Sequence, residues 1–350
     1  MNKNKIVGYW LLIGVGMLII QVLLGGITRL TGSGLSITEW KPILGTIPPL
    51  NDAEWQHAFM LYQEKTGQYK YLNQDFTISH FKFIYFWEWM HRNWARLISI
   101  VFLIPFIYFI IKKYFNVKMI SNLVALFLLG AAQGLIGWIM VKSGLNDDNL
   151  YVSHIKLAIH FISALVLICF TFWFALTLLV ENQAKVYHPG LKKYIFWILL
   201  LLGIQLTYGA FMAGLKAANV APTWPSINGA YIPDTVLNGD YIFNTINIHF
   251  IHRMLAYILL IGIIIWQIKV QPIRDSLLFN RIKSLPLVLV TIQVLLGIFT
   301  LLTSSVQVRN GFGLFEYLAQ AHQLVAMFLL MSLITLLYIL GANSRDSIKP

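Results

Sequence analysis

FWEWMHR, residues 86–92, stands where a long polar stretch becomes a strongly apolar run that continues to residue 111. On a helix Glu88 and His91, three residues apart, share a face, with Arg92 beside them. An ionisable group at the centre of a membrane helix costs about 2.5 to 3.5 kcal/mol on insertion scales, so such groups mark a functional site by default. Here a carboxylate, an imidazole and a guanidinium occupy one helix mouth. The run that follows is long enough to cross the ~30 Å hydrocarbon core, which takes about 20 residues.

Outward from this stretch the pattern repeats. Eight apolar segments lie near 7–27, 84–111, 119–141, 154–180, 194–214, 245–268, 285–304 and 317–341, and the chain is 58% hydrophobic and 11% charged. A soluble domain carries roughly 25% charged residues, so the sequence reads as an all-α integral membrane protein. A net charge of +12 could suggest nucleic acid, but its placement argues against that. One set of ends and loops, from Lys3 and Lys5 through Lys112, Lys113 and Lys192 to Arg345 and Lys349, holds 14 of the 26 bases and 3 of the 14 acids, a net of +11. The positive-inside rule then puts both termini in the cytoplasm and the large loops outside. The N-terminal MNKNK runs directly into the first apolar segment without a small-residue cleavage site, which reads as an uncleaved first helix. The single cysteine, Cys169, lies in an apolar run and reads as packing.

Subtraction divides the chain in two. His91 to His252 is 161 residues and His160 to His322 is 162, and both His91 and His252 are followed by arginine, Arg92 and Arg253. The first, third, fifth and seventh segments each carry Gln and Gly four apart: Gln21 and Gly25, Gln133 and Gly137, Gln205 and Gly209, Gln293 and Gly297. Read as a packing motif, the glycine lets helices approach and the glutamine hydrogen-bonds between them. The expectation is two parallel-repeat four-helix bundles, residues 1–182 and 183–350, N-in and C-in, about an axis along the membrane normal. Within the first outer loop, Asn51 with Glu54 fits a helix cap, and Trp55, Phe59 and Tyr62 recur at helical spacing. Asp52–Lys65 is expected as an amphipathic helix on the outer leaflet or, equally, a loop helix packed on the helix ends.

Of nine histidines, His57, His80 and His188 fall in loops and His154 and His249 at helix mouths, while His91, His160, His252 and His322 lie at similar depth in the even-numbered segments. Imidazole is the commonest metal ligand among side chains, and two from facing helices can hold a heme on its axial positions. Zinc or di-iron fits less well, because closely spaced carboxylates and ligands are largely missing. Arg92 and Arg253 could pair with heme propionates, with Arg96 a weaker candidate, or could snorkel to headgroups. Where the first half has Glu88 the second has His249, so the chemistry is expected in the first half and a structural or electron-transfer heme in the second.

On GGITRLTGSGLSITEWKPILGTIPPL (25–50), FWEWMHR, QGLIGWIMVKSGL (133–145), KLAIHF (156–161), HFIHRMLAY (249–257) and AQAHQ (319–323), the sequence resembles the heme A synthase family over nearly its whole length. The first loop lacks the cysteine pair of some members and looks like the proteobacterial and mitochondrial type. GLKAANVAPTWPSINGAYIP (214–233) is similar to the family's loop after the fifth helix but departs from its pattern. The resemblance implies an enzyme of the bacterial cytoplasmic membrane that oxidises the C8 methyl of heme O, through successive hydroxylations, to the formyl group of heme A. It implies His91 and His160 as ligands of the substrate heme, His252 and His322 as ligands of a heme b, and Glu88 as the catalytic carboxylate. A heme O synthase is the implied supplier, terminal oxidase assembly the destination, and membrane lipid the surroundings; the electron acceptor and any homo-oligomer stay open. The residues alone also admit a di-heme b electron-transfer cytochrome, which explains Glu88 poorly, and a transporter, which the repeat suggests.

Overall fold

The computed structural model describes residues 2–39, 44–146, 149–308 and 311–341. Arg345, Asp346 and Lys349, part of the charge bias, lie outside the described residues. Among the described residues, eight helices are long and apolar enough to cross a membrane. They are α1 (Lys3–Leu30), α4 (Ile78–Ile111), α5 (Val117–Lys142), α6 (His154–Leu179), α7 (Pro189–Gly214), α8 (Thr245–Val270), α10 (Leu285–Leu302, preceded by short α9, Leu277–Ile282) and α11 (Leu314–Ile339). Two smaller helices, α2 (Asp52–Lys65) and α3 (Gly67–Leu72), lie in the loop after α1. No strand is present among the described residues.

α4 starts six residues before the apolar run because Thr77 and His80 close a capping box there. Those two side chains satisfy backbone N–H groups that the first turn leaves open. His80 is therefore a helix-start residue, not a loop residue. The 34 residues of α4 rise about 51 Å at 1.5 Å each, well beyond the ~30 Å of a hydrocarbon core. α2 covers part of the surplus: it has the expected bounds, with Asn51 Oδ1 accepting from Glu54 N at 2.9 Å. Of the two readings for this helix, the structure takes the second. Phe59 and Tyr62 are buried, and Phe81 of α4 meets all three rings: Phe59 stacked, Tyr62 tilted and Trp55 edge-on.

Contacts between the long helices come in matching sets. α1 packs on α4 and α6, and α5 on α6; correspondingly α7 packs on α8 and α11, and α10 on α11. The two groups meet where α6 touches α7, α1 touches α11, and α6 touches α11. One continuous apolar core, including Val15, Ile168, Ile198, Trp266 and Leu333, runs through both groups. A second core joins α1, α4, α5 and α6 around Trp10, Phe109, Leu123 and Phe174. Residues such as Ile104, Leu128 and Ile261 point outward and exposed, an arrangement suited to lipid rather than water.

The α1–α11 seam depends on a small residue. Gln320 and Gln323 donate to the carbonyls of Leu23 and Val22, each at 3.0 Å, and straddle Gly26. A Cβ on Gly26 would lie 2.5 Å from Gln323 Oε1 and 2.8 Å from Gln320 Oε1. Gly26→Ala is expected to cost about 1 to 3 kcal/mol by overpacking, read as a lower thermal transition in detergent. Gly14→Ala, with nothing within 4 Å of the new carbon, is expected to be neutral or slightly stabilising. At the end of the same helix Arg29 reaches the other group of helices, where its Nε donates to Ala213 O at 2.9 Å and its Nη2 to the same oxygen. A guanidinium there meets the negative end of α7.

Candidate functional site

The four histidines of matched depth each face the long apolar helix that precedes their own in the chain. His91 of α4 lies against α1, His160 of α6 against α5, His252 of α8 against α7, and His322 of α11 against α10. In every case the partner is the Gln–Gly pair. Gln21 Nε2 lies 3.2 Å from His91 Nδ1, and Gln133 Nε2 lies 3.1 Å from His160 Nδ1. In the other two, Gln205 and Gln293 Nε2 approach Nε2 of His252 and His322 at 3.5 and 3.2 Å. His322 Nδ1 lies 3.0 Å from Gln293 O, where an N–H would donate. A Cβ placed on Gly25, Gly137, Gly209 or Gly297 would lie 3.1, 2.8, 3.3 or 3.0 Å from the facing ring's Cε1. Across the bundle, His91 lies within electrostatic reach of His160, and His252 within reach of His322.

Glu88 sits one turn before Arg92 and is 3% exposed. Its Oε1 accepts from Arg92 Nη2 at 2.5 Å; its Oε2 accepts from Ser36 Oγ at 2.7 Å and from Ile37 N at 2.9 Å. Arg92 Nη2 also donates to Ile37 O at 3.1 Å. Loop residues 36–37 are thus fastened to α4 by a carboxylate and a guanidinium together. Arg253, in the corresponding place on α8, donates to Thr223 O, Pro225 O and Ser226 O at 2.6, 3.2 and 3.1 Å. His249, where the first half has Glu88, is 2% exposed and its Nδ1 meets no protein partner. Arg96 turns away to Asn93 Oδ1 at 2.6 Å.

Whether these residues suit a heme can be asked of their donors. A metal held by side chains alone needs three or four ligands, whereas a porphyrin supplies four nitrogens and needs two axial groups. Among the described residues no three His, Cys, Asp or Glu side chains converge to hold a metal by themselves, while single imidazoles stand half-buried on four long helices. Trp87 Nε1 and Arg253 Nε are buried donors without a protein partner, one beside each histidine pair. Buried donors are nearly always satisfied, so each is suited to an acidic group of a bound molecule.

Comparison with known proteins agrees with that fit. The family model described as cytochrome oxidase assembly protein (COX15-CtaA) matches residues 8–334. This chain belongs to that family. It is similar to the heme A synthase of Flavobacterium johnsoniae, with 40% identity over 342 residues, 95% of this chain and 97% of the relative. The heme A synthases of Bartonella henselae and Maricaulis maris are each 39% identical over 86% of this chain, covering 85% and 89% of their own lengths.

For a member of the cytochrome oxidase assembly family, several polar residues that sequence patterns did not single out prove to organise the loops. Glu316, fully buried at the start of α11, accepts from Val308 N at 3.1 Å and Gly313 N at 2.8 Å. Asn247, also fully buried, accepts from Thr235 Oγ1 and donates to Thr235 O and Asp240 O. A carboxylate or an amide in the first turn of a helix is a weak sequence signal, because capping alone explains it. Of the remaining histidines, His57 is an exposed residue of α2, His188 precedes α7 without a side-chain capping bond and reaches Asp275 Oδ2 at 2.6 Å, and His154 Nε2 meets Ile242 O at 2.9 Å.

Proposed function

We propose that this chain is a heme A synthase: a multi-pass enzyme of the bacterial cytoplasmic membrane that oxidises the C8 methyl of heme O to the formyl group of heme A in cytochrome oxidase assembly. The observation that carries this reading is the 40% identity, over nearly all of both chains, to a heme A synthase. The like seating of four histidines, each against a Gln–Gly pair, supports it. In this reading His91 and His160 hold the substrate heme in the half formed by residues 1–182. His252 and His322 hold a heme b in the half formed by 183–350. The matching helix contacts of the two groups support that division. A bound heme b supplies one-electron redox capacity.

Each oxidation of the methyl carbon takes up water oxygen and releases two protons and two electrons, the electrons passing to an oxidant from outside this chain; a second hydroxylation gives a hydrate, which loses water to leave the aldehyde. Glu88 is the group of this chain suited to the protons. Its carboxylate receives three protein donors and is held beside His91 by helical spacing. A fixed carboxylate can accept a proton or stabilise positive charge developing on the carbon. Arg92, while paired with Glu88, has further N–H groups for a propionate, and Arg253 has its unpartnered Nε.

Acid-acetone extraction of the purified protein, after co-expression with a heme O synthase, tests the assignment. Heme A or its hydroxylated intermediate beside heme B is the expected result. Heme B alone, with heme O supplied and unchanged, would make the four histidines an electron carrier.

A further inference from the structure

The Gln–Gly spacing of α1, α5, α7 and α10 reads in sequence as helix packing, yet in space every pair meets a histidine. Generic packing glycines would contact whatever side chain happened to cross them. Here all four make their nearest approach to the same atom type, the imidazole Cε1, on the four histidines proposed as ligands. Of the other glycines of these helices, Gly14, Gly16, Gly130, Gly134, Gly190 and Gly203 have nothing within 4 Å of a would-be Cβ, while Gly8, Gly26 and Gly214 meet Leu179, the side chains of Gln320 and Gln323, and His154. The glutamines reach the same histidines, each amide nitrogen lying within 3.5 Å of a ring nitrogen: Nδ1 of His91 and His160, and Nε2 of His252 and His322. Three of the amide oxygens, on Gln21, Gln205 and Gln293, are buried without a partner.

We propose that each Gln–Gly pair is a seat for one ligand imidazole, the glycine admitting the ring edge and the glutamine fixing the ring's rotation and, where it stands at Nδ1 of His91 and His160, its tautomer. The inference rests on the reading of His91, His160, His252 and His322 as heme ligands. These glutamines and glycines are positioning residues that act through the histidines.

The physical reason is clearest at His160. A neutral imidazole that binds iron through Nε2 carries its proton on Nδ1, and that N–H needs an acceptor. Gln133 stands 3.1 Å from Nδ1, while Ser163 Oγ donates to Gln133 Oε1 at 2.5 Å and to His160 O at 3.0 Å. A half-turn of the amide exchanges its nitrogen and oxygen. The ring N–H then donates to the amide oxygen and the amide N–H to Ser163 Oγ, while His160 O gives up the bond from Gln133 Nε2 at 2.9 Å and keeps the Ser163 hydroxyl, and Nε2 is free. Such an outer hydrogen bond raises the basicity of a metal-bound imidazole and fixes its plane.

Two measurements on the heme-loaded protein test the seat. In the EPR spectrum of ferric low-spin heme with two imidazoles, the largest g value depends on the angle between the ring planes. Gly137→Ala, whose Cβ would lie 2.8 Å from His160 Cε1, is expected to shift one of the two low-spin signals or convert it to high spin. Gly297→Ala is expected to shift the other. Gly134→Ala, on the same helix as Gly137, is the control expected to leave both unchanged. In redox titration, Gln133→Leu removes the acceptor and is expected to raise the midpoint potential of one heme; Gln133→Glu strengthens it and is expected to lower the same potential. Opposite shifts from two variants at one position would not arise from packing alone. Unchanged g values in both glycine variants, or equal potentials in the two Gln133 variants, would overturn the seat. A wild-type protein without a low-spin signal would instead overturn the reading of the histidines as heme ligands.

Discussion

Glu88→Gln is expected to leave heme in the protein and to stop its conversion, with the yield of heme A falling about 10²- to 10⁴-fold, the range lost when a general acid or base is removed. The substitution keeps the shape but not the acceptors. Glu88 receives Arg92 on one oxygen and Ser36 and Ile37 on the other, so an amide must turn its NH2 toward donors on one side or the other. Removing one partner of a buried ion pair costs about 3 to 5 kcal/mol, and here the charge removed is 3% exposed. A lower thermal transition is therefore expected as well. Ser36→Ala separates the two effects, because it keeps the charge and gives up one hydrogen bond, about 1 to 3 kcal/mol for a bond to a charged group or the donor's loss. If loop anchoring is what matters, Ser36→Ala will lower heme A yield in proportion to its stability loss. If the carboxylate acts on the substrate, Ser36→Ala will stay active where Glu88→Gln is not. Full conversion by Glu88→Gln would remove Glu88 from the mechanism.

His252→Ala is expected to remove heme b while the first half still takes up heme O. Loss of an outer hydrogen-bond partner typically costs 10- to 100-fold in metal affinity, and loss of the axial ligand itself costs more. The protein also loses the stabilisation that a tightly bound ligand gives the native state, about 2.7 kcal/mol at a hundredfold excess over Kd. Pyridine-hemochrome quantification with chromatography of the extract reads the first effect, and thermal unfolding the second. His249→Ala, three residues away, is the comparison. It removes a buried imidazole whose Nδ1 has no protein partner and should leave heme b bound. Unchanged heme b in His252→Ala would break the assignment of that pocket.

The eight spans were legible because length and hydropathy are properties of each segment alone, and a bilayer selects for both. The histidine spacing was legible for the same reason, as arithmetic on the chain. α2 shows where that ends. Its bounds followed from Asn51, Glu54 and the aromatic spacing, but its surroundings did not, since Trp55, Phe59 and Tyr62 suit lipid or the end of α4 equally well. Only the presence of Phe81 opposite them decides.

The sequence by itself determined that this is an eight-span helical protein with four histidines at matched positions and one carboxylate beside them. Those features are local or periodic. Tertiary structure alone decided what the polar residues hold. Gln133 and Gly137 look like packing until His160 is seen against them, and only the fold shows that Arg92 and Arg253 also hold the carbonyls of Ile37 and of residues 223–226. The reason is that a buried polar group must be satisfied by whatever the fold brings to it, and in a membrane interior no water can take that place.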